Sequence, residues 1–157
     1  MTAVELGSAA PTGLLEREHE LATVWDWLDD VRAERGRMLL IEAPAGLGKS
    51  ALIDRVREMA RGDFILLRAA GSEVEQELGW GVARSLFEPW LQRLPDDERA
   101  EVLSGPAASA GLLLAPDGEA AGLPASDAGF AILHGLYWLA THAAETRPTL
   151  LIVDDAP

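Results

Sequence analysis

Two glycines, one lysine and one serine are clustered where an apolar run gives way to a helical pattern. Met38-Leu39-Leu40-Ile41 leads into Ala43-Pro44-Ala45-Gly46-Leu47-Gly48-Lys49-Ser50, and Ala51 to Ala60 follows with helical spacing. Residues of these types at this spacing can hold phosphate. Gly46 and Gly48 let the backbone curl so that the N–H groups of Ala45, Gly46, Leu47, Gly48, Lys49, Ser50 and Ala51 form a nest for anionic oxygens. A helix beginning near Lys49 would aim the positive end of its dipole at the same point, worth roughly 0.3–2 kcal/mol to an anion. Lys49 could then reach the outer phosphates of a nucleoside triphosphate, and the Ser50 hydroxyl could hold magnesium. The pattern is G-x-x-x-x-G-K-[ST] (Walker A), except that Ala43 stands in place of the first glycine. That position ends a strand and need not adopt positive φ.

A second group of reactive residues lies at the C-terminus. Thr149-Leu150-Leu151-Ile152-Val153 ends in Asp154-Asp155. The apolar run predicts a parallel strand buried on both faces. Carboxylates at the C-terminal end of such a strand face the crevice where open α/β sheets bind ligands. In a Walker B reading Asp154 would hold magnesium and Asp155 would orient or deprotonate the attacking water.

Composition narrows the classes. The chain has 157 residues, 13 Lys plus Arg and 26 Asp plus Glu, for a net charge of −13. A surface this acidic repels a polyphosphate backbone, so these residues are poorly suited to bind DNA or RNA directly. There is no cysteine, which removes disulfides and thiolate metal sites. His19, His134 and His142 lack the spacing and the carboxylate neighbours of a zinc site. Met1 to Gly13 has neither the basic nor the apolar region of a signal peptide. No run approaches the ~18 apolar residues of a membrane helix. The expectation is a cytoplasmic protein with no membrane partner.

Periodicity supplies the elements that must position these groups. Glu16 to Arg35 predicts a helix with Leu21, Val24, Trp25, Leu28 and Val31 on its inner face and Gly36 as its stop. The helix after the phosphate loop turns Leu52, Ile53, Val56 and Met59 inward, and Phe64-Ile65-Leu66-Leu67 reads as a strand. Between Gly79 and Leu94, Val82, Leu86, Trp90 and Leu94 recur at helical spacing, with Pro89 predicting a kink or two shorter helices. Pro95 to Leu103 predicts a short helix, and Gly105 to Ala125 an irregular excursion with at most a helical turn around Leu112. Ser126 or Asp127 should cap a long helix, Ala128 to Glu145, which Pro148 stops. Trp25, Trp90 and Trp138 are expected in the core. Ser72 to Glu77 reads as a loop in which Glu73 or Glu75 could assist catalysis.

Strand, helix, strand, helices, strand implies right-handed crossovers and a parallel sheet. The predicted fold is α/β, a phosphate-loop three-layer sandwich, with residues 1–13 an N-terminal tail and 14–157 the N-terminal portion of the domain. The chain ends three residues after Asp154, where the site should continue, so the domain is expected to be incomplete after the Walker B strand.

With these motifs in place, the chain resembles a family. Gly13-Leu14-Leu15-Glu16-Arg17-Glu18, the phosphate loop, Leu86-Phe87-Glu88-Pro89-Trp90, and Phe130 to Leu139 leading into Asp154-Asp155 are similar to the ATPase module of large LuxR-type transcriptional regulators. These belong to the AAA-like signal-transduction (STAND) ATPases. The resemblance implies Mg-ATP as ligand, with Leu14 and Leu15 beside the adenine, Lys49 and Asp155 as catalytic residues, and Ser50 and Asp154 on magnesium. It implies slow hydrolysis serving as a switch, and self-association of the parent protein. DNA binding would belong to C-terminal regions that these residues do not include. Two other readings remain open at this point: an AAA-type motor or remodelling ATPase, and a non-hydrolysing nucleotide-binding interaction domain. The last is admitted because Asp155 stands where motor ATPases commonly have glutamate.

Overall fold

Alternating apolar runs and helical repeats become the following elements in the computed structural model, which describes residues 2–5, 18–44, 46–71, 80–114 and 125–154. They are strand β1 (Thr2–Glu5), helix α1 (Glu18–Arg32), β2 (Leu39–Glu42), α2 (Lys49–Ala60), β3 (Ile65–Ala70), α3 (Gly81–Leu91), α4 (Asp96–Val102), α5 (Ala108–Leu114), α6 (Ala125–Thr146) and β4 (Thr149–Asp154). The chain divides into two compact units, residues 1–64 and 65–157.

In the first unit α1 presents Val24 and Leu28 to the core, and α2 presents Leu52, Ile53, Val56 and Ala60. Each fully buried Leu or Val contributes about 1.5–3 kcal/mol relative to exposure. Trp25, expected inside, is 47% exposed. The buried stripe runs through Val24 and Leu28, and a residue next in sequence is turned about 100° away from it. The Arg32 guanidinium instead lies 5.9 Å from the Trp25 ring centroid and 5.2 Å from that of Phe64. β2 pairs in parallel with β1, Thr2 beside Leu39 through Glu5 beside Glu42. That strand falls where the sequence offers no run of apolar residues long enough to announce it.

The end of α1 differs from expectation. Glu34, not Gly36, takes the left-handed conformation, with φ 60°. The Arg35 N–H donates to the Asp30 carbonyl at 2.9 Å and the Glu34 N–H to the Val31 carbonyl at 3.0 Å. This pair of bonds is a Schellman motif, which satisfies carbonyls that the helix cannot. It also brings Arg35 and Arg37 onto the Asp30 carboxylate, with Arg35 Nη2 at 2.5 Å and Arg37 Nε at 2.7 Å. The hydrogen bonds from Arg35 and then Arg37 hold the Asp30 carboxyl below the usual carboxylate range.

In the second unit β3 and β4 pair in parallel, Ile65 beside Thr149 through Ala70 beside Asp154. The ladder continues past both ends, since Ile65 N–H donates to Pro148 and Gly71 N–H to Asp154. Leu67 and Ala69 of β3 are buried in a cluster with Leu86, Phe87 and Leu91 of α3 and Ile132, Leu136 and Leu139 of α6. β4 was expected to be buried on both faces, but only Leu150, Ile152 and Asp154 are; Leu151 is 44% and Val153 39% exposed. Leu151 is the register partner of Leu67, so the helices of this unit cover that face over β3 and leave it open over β4.

Four further expectations change. α3 continues through Pro89 as one helix and ends at Leu91; burial of Leu86, Phe87 and Leu91 in the core offsets the one hydrogen bond that proline cannot donate. A 3-10 turn at Gly105–Ala107 and α5 occupy the first part of the excursion expected to be irregular, because Ala107, Ala110 and Leu113 find a buried face against α6. The remainder of that excursion, 115–124, lies outside the described residues, as do Ser72 to Glu77. α6 starts at Ala125, ahead of both expected caps. Trp90 and Trp138 are only half-buried against the cluster.

Candidate nucleotide site

β2 carries the chain to Glu42, and the loop turns it into α2 through two residues of positive φ, Gly46 at 83° and Gly48 at 76°. Left-handed backbone costs a residue with a Cβ about 1–2 kcal/mol, so both turns favour glycine on conformational grounds. The Leu47 N–H donates to the Pro44 carbonyl at 3.3 Å, and the Gly48 carbonyl accepts the Leu52 N–H at 3.0 Å, starting the helix. Ala43 is not in the left-handed region; the non-glycine residues there, among those described, are Glu34 and Trp80. The alanine therefore serves as well as glycine at that position.

α2 opens with no side chain capping it and no carboxylate in its first turn. The leading N–H groups of any helix lack an intrahelical partner, and they carry the positive end of the dipole. Ser50 is exposed there, and Leu47 and Ala51 are half-buried. The Nζ of Lys49 donates to the Ala43 carbonyl at 2.8 Å. Lys49 is the single lysine of the sequence. A compact ammonium with rotatable donors is thus reserved for the loop, while arginine serves the surface ion pairs. The role of the Ala43 carbonyl could not be read beforehand, because every residue type has one.

The chemistry of this loop is anion binding by backbone amides with one ammonium beside them. A family model for the AAA ATPase domain matches residues 13–156. The chain belongs to that family. No curated protein matches it, and no solved structure does. Membership makes this AAA ATPase domain a nucleotide-binding module of the phosphate-loop class, and the helices and parallel strand pairs described above accord with an α/β fold.

The remaining residues singled out in the sequence divide by position. Ala43, Gly46, Leu47, Gly48, Lys49, Ser50 and Ala51 all belong to the loop and helix start of the first unit. Asp154 ends β4 in the second, 7% exposed, and its main-chain carbonyl accepts the Gly71 N–H at 2.7 Å. Asp155, Ala45, Leu14 and Leu15 lie outside the described residues. An AAA ATPase domain typically takes its ATP with magnesium. The Ser50 hydroxyl and Asp154 carboxylate are hard oxygen donors, the chemistry that cation selects. Among the described residues no helix is long and apolar enough to cross a membrane.

Proposed function

We propose that this AAA ATPase domain binds Mg-ATP and hydrolyses it slowly, as the nucleotide switch of a LuxR-type transcriptional regulator in the cytoplasm. The observation that carries the binding step is the pair of left-handed glycines delivering the chain into an uncapped α2 with Lys49 at its first position. In this reading the amides from Ala45 to Ala51 hold the phosphates and Lys49 takes the outer ones. Leu14 and Leu15 flank the adenine. Asp155 orients the water that attacks the terminal phosphorus, accepting its proton as the bond to the leaving diphosphate oxygen breaks.

Magnesium, held by Ser50 and by Asp154, would supply neutralising charge on the phosphate oxygens. The acidity of the rest of the chain, with a net charge of −13, supports leaving DNA contact to other regions of the parent protein. A nucleotide acts as a switch only if it binds one conformation more tightly than the other.

Thermal denaturation with and without Mg-ATP tests the binding. At a hundredfold excess over Kd the nucleotide should add roughly 2.7 kcal/mol. An unchanged melting curve at every Mg-ATP concentration would remove the proposal. Asp155→Asn is expected to keep that stabilisation and to lower turnover in the parent protein; unchanged turnover would take Asp155 out of the reaction.

A further inference from the structure

The strand that launches the phosphate loop is held by little packing. No residue of β2 is buried: Leu39 and Ile41 are half-buried, and Leu40 and Glu42 are exposed. The helices of the same unit are better secured, since Val24 and Leu28 of α1 and Leu52, Ile53 and Val56 of α2 all lie in the core. The chief constraint on the β2 backbone is its ladder with β1, and among the described residues this sheet holds those two strands alone. Thr2 pairs with Leu39, Ala3 with Leu40, Val4 with Ile41 and Glu5 with Glu42. The last rung therefore falls at Glu42, directly before the loop. The next residue, Ala43, supplies the carbonyl that receives the Lys49 Nζ at 2.8 Å. Pro44 supplies the one that receives the Leu47 N–H at 3.3 Å. A short run of backbone thus joins the N-terminal strand to the ammonium and to the first turn of the loop.

We propose that β1 is a detachable strap whose pairing with β2 sets the affinity of the phosphate loop for its nucleotide. The proposal rests on the Mg-ATP reading of that loop and adds a means of controlling it. Backbone amides bind an anion tightly where the chain already has the binding curvature, because ordering it at the moment of binding lowers affinity. With β1 paired, β2 ends at a fixed place, and the Ala43 carbonyl holds Lys49 against the loop. With β1 released, the strand before the loop loses its ladder and keeps only half-buried side chains. A parallel pair of four rungs suits such a device. Parallel pairing is slightly weaker per residue than antiparallel, and two strands standing alone are marginal in water. Elements of such low stability open locally and are the ones that ligands readily shift. Linkage makes the coupling reciprocal: the factor by which the paired strand raises nucleotide affinity is the factor by which nucleotide favours the pairing. Part of the stretch expected to be a tail thereby acquires a role at the site.

Amide hydrogen exchange and titration calorimetry on the full chain test this. Proline cannot donate to a ladder, and successive residues of a strand turn their N–H groups to opposite edges. Ala3→Pro combined with Val4→Pro therefore removes a donor to β2 whichever of the two supplies it. Circular dichroism checks that the helices remain. Without nucleotide, this variant should exchange the amides of residues 39–43 faster than the wild type, while those of β4, in the other unit, keep their rates. With Mg-ATP, its dissociation constant should be roughly fivefold or more above the wild-type value. Saturating Mg-ATP should slow exchange at residues 2–5 of the wild type by a similar factor. Equal affinity in the two chains overturns the strap, as do unchanged exchange rates at 39–43 in the variant. Either result is distinct from failure of the loop reading itself, in which the wild-type chain takes up no Mg-ATP and the coupling falls with it.

Discussion

The Lys49 ammonium donates to the main-chain carbonyl of Ala43, 2.8 Å away, which ties the helix end of the phosphate loop back to its first residue. A hydrogen bond from a charged donor contributes about 1.5–3 kcal/mol, so this contact fixes both the loop's curvature and the position of its one cation. Lys49→Ala removes both, and ATP affinity should fall by roughly tenfold or more, read by titration calorimetry. Lys49→Arg should not restore it, since a planar guanidinium is no substitute for a point charge in a tight loop. Equal affinity for the wild-type and alanine chains would exclude Lys49 from the site.

Glu34 ends α1 in a conformation that glycine adopts without cost, with φ 60°. Glu34→Gly should therefore stabilise the chain by about 1 kcal/mol, measured by urea denaturation. Its carboxylate makes no contribution to the Schellman bonds, which are main-chain. A loss of stability would show that the side chain does more than occupy the turn.

Gly135 is closed to any larger residue. A Cβ added there would come within 2.6 Å of the Ala110 amide nitrogen and 3.1 Å of Ser109. Two effects compete in Gly135→Ala: helix propensity favours alanine by about 1 kcal/mol, and the clash with α5 backbone costs about 1–3 kcal/mol. Backbone yields less than a side chain, so net destabilisation is expected in thermal melts. A gain in stability from Gly135→Ala would mean that α5 and α6 do not approach this closely.

The carboxyl of Asp30, held low by Arg35 and Arg37, adds a pH dependence of known sign. A depressed folded pKa contributes stability above the unfolded value, near 3.9, and loses it as the pH falls through the folded value. Stability of the wild-type chain should thus decline more steeply below about pH 4 than that of Asp30→Asn. Identical profiles would show that the arginines do not engage Asp30 in solution.

The phosphate loop was legible in the sequence because its geometry is local. Glycines at positions 46 and 48 can adopt positive φ, and a helix start needs only the residues within its first turn. The amphipathic halves of α1 and α2 were legible for the same reason, since a stripe such as Val24 with Leu28 is a property of spacing. Near neighbours in the chain decide such features before any long-range contact exists.

Other features depend on what arrives from elsewhere in the chain. That Trp25 stays outside, that Leu151 is exposed while Leu150 is buried, that Glu34 rather than Gly36 turns the chain, and that Gly135 touches α5 were not visible in residue order. Apolar character along β4 and α6 gave the capacity for burial on either face. Which face is covered is decided by the helices that reach it, and only the folded chain brings these together. By itself the sequence determined the anion-binding loop and the apolar stripes. The tertiary structure decided which of those stripes are core and which stay exposed, because burial is a relation between distant segments.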